Sequence, residues 1–135
     1  MRTGYSLLTA TILLAAGIVW AQNESDYQEW MKSNAISMGS MSRNITAKNA
    51  EGAAADARQL ESNFKQVVDF WKTRGGAEDA VNFARRAQIF AGDVAKDVAA
   101  GDFRQAADDL KSMQTNCAGC HMAHREGSQG AFKIK

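Results

Sequence analysis

The chain has no proline among its 135 residues. With nothing to remove a backbone donor or kink a helix, long uninterrupted helices are favoured and a loop-rich or Greek-key architecture is not. Alternating strand patterning, internal repeats and low-complexity segments are also missing. Cysteine is scarce. Cys117 and Cys120 are the two present, and one short motif uses both, so no disulfide framework is left to organise the fold. Neither sign of charge is in excess: 16 Lys and Arg stand against 15 Asp and Glu, which argues against the one-sided basic footprint of a nucleic-acid binder. A composition 45% hydrophobic and 23% charged suits one globular domain.

The one long apolar run, Leu7 to Val19, follows a short positive region at Arg2 and leads to a small-x-small-like cleavage site, Val19-Trp20-Ala21. Residues 1–21 therefore read as a signal peptide, and residues 22–135 as an exported domain beginning at Gln22. The run falls short of the roughly 20 residues a membrane span prefers and lacks a basic stop-transfer cluster, so no stable membrane insertion is expected after cleavage. Export fits a periplasmic location. Loss of Arg2 leaves 15 basic and 15 acidic side chains.

Periodicity predicts four helices. The first is expected from Ser25, through a Ser25-x-x-Gln28 capping box, to about Ala47, with Tyr27, Met31, Asn34, Met38, Met41 and Ile45 along its inner seam. Asn34 is the polar exception on that seam and needs a partner, which the polar rim of a cofactor pocket would supply. The second helix is expected from about Asn49 to Lys72, ended by Thr73-Arg74-Gly75-Gly76, and the third from near Ala77 to Gly101. Asp102 should cap the fourth and Gly127 end it, leaving Ser128 to Lys135 frayed or loosely docked. Short turns between such helices imply an all-α, up-down-up-down antiparallel four-helix bundle.

Chemistry is concentrated in Cys117-Ala118-Gly119-Cys120-His121. Two thiols three residues apart can each bond a vinyl group of one haem, and the histidine that follows can reach the iron, which is the pattern of a covalent haem c. Two rival readings share these residues. A thioredoxin-like pair needs a preceding strand and a thiol at a helix N-terminus, whereas this pair falls in the last turns of a helix. A zinc site from Cys117, Cys120, His121 and His124 would draw all four ligands from one short helical stretch, where they converge poorly.

Antiparallel packing brings the end of the fourth helix beside the start of the first. Met31 is then the preferred sixth ligand opposite His121, because Met38 lies about 10 Å and Met41 about 15 Å further along the axis. Val67, Phe70, Trp71, Ala80, Phe83, Ala84 and Ala87 are candidate pocket walls, with ordinary core packing the rival role for each. Arg125 is expected one turn beyond His121 on the same face, near the proximal haem edge, or else as a solvated cation favourable to the helix C-terminus.

Cys117 to Arg125, with Trp30-Met31-Lys32-Ser33-Asn34 and Met38-Gly39, resembles the class II c-type cytochromes, the cytochrome c-prime superfamily, in its low-spin methionine-ligated form. The resemblance spans essentially the whole mature chain. It implies an exported four-helix bundle with one haem c on Cys117, Cys120 and His121, and Met31 as distal ligand. Family members usually place an aromatic and a basic residue three and four positions after the histidine; the positions here hold His124 and Arg125. Two other departures are Tyr27 in place of a common arginine, and a short link, Thr73 to Ala77, between the second and third helices. Members often dimerise through their first two helices, so a homodimer is part of what the resemblance implies.

The function expected is electron transfer with unidentified redox partner proteins, since His and Met ligands let iron change oxidation state without changing ligands. Catalysis is not expected: the only other histidine, His124, falls on the proximal side, where it cannot serve as a distal acid or base. The alternatives are a five-coordinate protein binding nitric oxide or carbon monoxide, and a non-haem metal-binding or interaction module.

Overall fold

A computed structural model describes residues 23–135; the expected signal peptide and its cleavage after Ala21 lie outside them. Four helices dominate: α1 (Glu24–Thr46), α2 (Ala50–Arg74), α3 (Glu78–Ala99) and α4 (Phe103–His124). Each packs on the next, and α1 closes the ring against α4 far more sparingly. The protein is an all-α four-helix bundle with antiparallel neighbours. No described helix is long and apolar enough to cross a membrane.

The start of α1 differs from the expected one. Asn23, not Ser25, is the cap: its Oδ1 accepts from Asp26 N–H at 2.9 Å, and Asp26 Oδ2 accepts in return from Asn23 N–H at 3.4 Å. An Asn–Asp box two residues earlier also brings Glu24 into the first turn, where the helix dipole favours it. Gln28 is thereby free to bond elsewhere. At the starts of α2 and α4, Asn49 accepts from Gly52 N–H at 3.1 Å and Asp102 from Gln105 N–H at 2.9 Å. Gly75 and Gly76, with φ of 71° and 74°, reverse the chain into α3 through a region few other residues enter cheaply.

Leu60, Met41, Met113, Val94 and Val98 are shut from water, and alanines at 53, 57, 80, 87, 91 and 106 let the helices approach closely around them. Asp97 is one of the polar groups that resist this core. Asp97 keeps an oxygen buried without a partner among the described residues; burial, then the nearby Asp109, Asp102 and Asp93, raises its carboxyl above the usual range. A carboxyl raised in the folded state destabilises when ionised, and stability recovers as pH falls through that raised value toward the unfolded one. Asp97→Asn should therefore stabilise the protein at neutral pH, by less than about 1 kcal/mol because water screens the cluster. The gain should fade below pH ~4, near the unfolded carboxylate value, which thermal unfolding at two pH values would check.

The C-terminus also departs from expectation. α4 ends at His124, three residues before Gly127, because Arg125 turns to an extended backbone (φ −124°, ψ 136°). Arg125–Glu126 (β1) then pairs antiparallel with Lys133–Ile134 (β2). Gly127 serves the turn between them: its φ is 91°, and a Cβ there would lie 2.5 Å from the Ala131 carbonyl oxygen. The expected loose tail is thus a small docked hairpin. Gln28 Nε2 donates to Phe132 O at 2.8 Å, and the Arg125 guanidinium lies 4.0 Å from the Phe132 ring centroid.

Candidate functional site

Aromatic packing fixes the level at which α1 and α4 meet. Tyr27, one turn into α1, stacks on Phe70 (centroids 4.7 Å apart) and edge-on against Trp71 (5.9 Å). Trp71 in turn meets the His124 ring at 5.1 Å. Tyr27 and His124 therefore share one end of the bundle. Moving inward by four residues on α1 reaches Met31; moving inward by three on α4 reaches His121. With the same rise per residue on both helices, Met31 and His121 are level, and Met38 is level with the turns before Cys117.

A cavity of about 400 Å³ opens at this end, within the roughly 300–1,000 Å³ range of cofactor sites. Met31, Cys117, Cys120, His121 and Arg125, the five residues expected to form the site, all line it. Of the expected walls, Val67, Phe83, Ala84 and Ala87 face it. Phe70, Trp71 and Ala80 are not among its walls: the two aromatics are spent in the Tyr27 cluster, and Ala80 is sealed in the core. Sequence reasoning missed Phe64, Asn116 and the tail residues Gln129, Gly130, Phe132, Lys133 and Ile134. Met38 is a wall as well, whereas Met41 is fully buried core.

The motif sits late in α4, and no strand precedes it among the described residues. Both cysteines are free and half-buried. Burial, with Cys120 adding to it, pushes the Cys117 thiol up to about 11; burial and then the Asp79 carboxylate push Cys120 to about 11. A redox-active pair requires the opposite shift, since the thiolate is the nucleophile. These thiols stay protonated near neutral pH. Burial lowers the His121 imidazole below its ordinary value, and the Arg125 cation lowers it further, which keeps a ring nitrogen lone pair free to coordinate.

His124 is engaged elsewhere. Its Nε2 lies 2.8 Å from Asp79 Oδ2, a contact that holds the Asp79 carboxyl below the usual range and ties the end of α4 to the start of α3. Among the described residues no three His, Cys, Asp or Glu side chains converge to hold a metal ion by themselves. Arg125 lines the cavity from β1 and not from the expected helix face, because the helix has already ended.

Two further contacts seat the motif. Asn116 Nδ2 donates to the Phe83 carbonyl at 2.7 Å, fixing α4 against α3 one residue before Cys117. Gly119 lets the helices close, since a Cβ there would lie 3.1 and 3.3 Å from Phe83 ring carbons. Gly119→Ala should be nearly neutral, because ~1 kcal/mol of helix propensity offsets a small displacement of that ring. Gly119→Val adds branched bulk at the same place and should cost about 1–3 kcal/mol in denaturant unfolding.

Compared with protein-family models, with curated proteins and with solved structures, the chain matches none.

Proposed function

We propose that the protein is an exported, periplasmic c-type cytochrome that carries electrons between partner proteins on one covalently held haem, whose iron His121 and Met31 would ligate. The observation that carries this reading is the meeting of Met31, Cys117, Cys120 and His121 on one cavity, with Met31 level with His121. When bound, a haem supplies a one-electron iron couple.

The chain's own residues would do the rest. Cys117 and Cys120 would hold the haem as thioethers, each formed by adding a thiol S–H across a vinyl group, an addition that needs no oxidant. His121, neutral at physiological pH, offers a nitrogen; Met31 offers a sulfur that needs no deprotonation. Phe64, Val67, Ala84 and Ala87 line the cavity and would keep water from a bound macrocycle, for which the small alanines leave room. Arg125 and Lys133, exposed on the hairpin, and Lys32 on α1 are placed to meet carboxylates at the cavity mouth. On the α1 side the cavity presents amide, thioether and phenol groups and the Lys32 cation, with no imidazole or carboxylate.

The test is expression with a haem c maturation system, followed by ferric and ferrous spectra. Six-coordinate low-spin spectra in both states are expected. A high-spin ferric form that binds carbon monoxide rapidly would replace electron transfer with gas binding, and a chain emerging without haem would overturn both.

A further inference from the structure

Asn34 is only 2% exposed, sits three residues after Met31 on α1 and lines the cavity. Its amide is held in one orientation by a directional chain of hydrogen bonds. Gln59 Nε2 donates to Asn63 Oδ1 at 3.0 Å; Asn63 Nδ2 then donates to Asn34 Oδ1 at 2.9 Å and to Ser33 Oγ at 3.0 Å. With its oxygen so engaged, Asn34 must present Nδ2 on the opposite side. That nitrogen is buried and has no hydrogen-bond partner among the described residues.

An unmet buried donor costs about 1–3 kcal/mol, and plain packing at this seam position would avoid it with a leucine. Asn63, itself held by Gln59 and Ser33, instead braces the amide, leaving its deficit at the end of the chain nearest the cavity. An acceptor inside the cavity would remove the cost.

The geometry points to a hydrogen bond from Asn34 Nδ2 to the Met31 sulfur when that sulfur occupies the sixth position on the iron; this inference rests on the haem reading above. Haem carboxylates are poor candidates for the acceptor. They seek water and cations, and the cavity's cations, Lys32, Arg125 and Lys133, are all exposed, whereas Asn34 is deep. The other haem edges bear carbon substituents, which accept no such bond. The thioether is a weak acceptor but lies one helical turn away on the same face. Asn34 is thus a positioning residue: it orients the ligand sulfur and turns the positive end of an N–H dipole toward the iron. That end disfavours the additional positive charge of the ferric state and so raises the reduction potential.

The experiment is potentiometry on the haem-loaded protein, beside Asn34→Leu, which keeps the branched outline without the donor, and Asn34→Ser, which keeps a donor. The unmodified protein should show methionine–iron charge-transfer absorption. In Asn34→Leu that absorption should persist but shift, and the potential should fall by about 59 mV, a tenfold change in a one-electron equilibrium. Asn34→Ser should recover part of the fall. Should Asn34→Leu fail to hold haem, Asn63→Leu, which removes the bond orienting Asn34, should lower the potential in the same direction by a smaller amount. An unchanged potential and band in the variant that loads would overturn the hydrogen bond while leaving the Met31 reading intact. Absence of the methionine–iron band from the unmodified protein would overturn the Met31 reading itself, and the hydrogen bond with it.

Discussion

On the proposed haem reading, Met31→Ala should convert essentially all of the ferric protein from low-spin to high-spin and open the iron to carbon monoxide or nitric oxide. The expectation rests on level. Tyr27, Trp71 and His124 lock one end of α1 to one end of α4, and Met31 lies as far in from Tyr27 as His121 lies from His124, to within one residue. Met38 gives the stringent control, because it too lines the cavity but lies about 10 Å further along the axis. Met38→Ala should leave the spectrum low-spin. Met41→Ala removes a fully buried side chain away from the cavity and should cost about 2–5 kcal/mol of stability with no spectral change. A low-spin Met31→Ala protein beside a high-spin Met38→Ala protein would reassign the ligand; low-spin spectra from both would remove methionine from the sixth position.

The helices were legible because their core stripes recur at three- and four-residue spacing and the turns between them carry Gly75-Gly76 and Gly101-Asp102. The start of α1 was less so, since Asn23-x-x-Asp26 and Ser25-x-x-Gln28 overlap as capping boxes and only tertiary structure chooses between them. It chooses Asn23, and Gln28 is then available to the Phe132 carbonyl, more than a hundred residues away in sequence. The hairpin was illegible for a related reason. A two-residue strand has no period to detect, and its stability comes from an internal contact, Arg125 over Phe132, and from docking on the bundle through Gln28 and Ile134. The spacing within the motif announced a shared site, and the bundle places its residues on one cavity with Met31. Asn34 was legible only in part. Its need for a partner could be read from one position, but Asn63 as that partner depends on how α1 and α2 align.

Loss of both thiols should separate holding the haem from folding around it. Cys117→Ala and Cys120→Ala each remove one small, half-buried side chain, so either apoprotein should lose less than about 1.5 kcal/mol. In the holoprotein the consequence is larger. A single variant keeps one thioether and should retain its haem through acid–acetone extraction, less completely than the unmodified chain. The double variant should release all of it. Without a covalent bond, the haem stabilises the fold only as a dissociable ligand, worth about 2.7–4.1 kcal/mol at 100 to 1,000 times its dissociation constant and less on dilution. The double variant's melting temperature should therefore fall as holoprotein is diluted, while that of the unmodified protein stays constant. His121→Ala should do the reverse, leaving the haem attached through both sulfurs but changing its spectrum. Haem that leaves the unmodified chain in acid–acetone as readily as it leaves the double variant would show that Cys117 and Cys120 line the cavity without bonding what it holds.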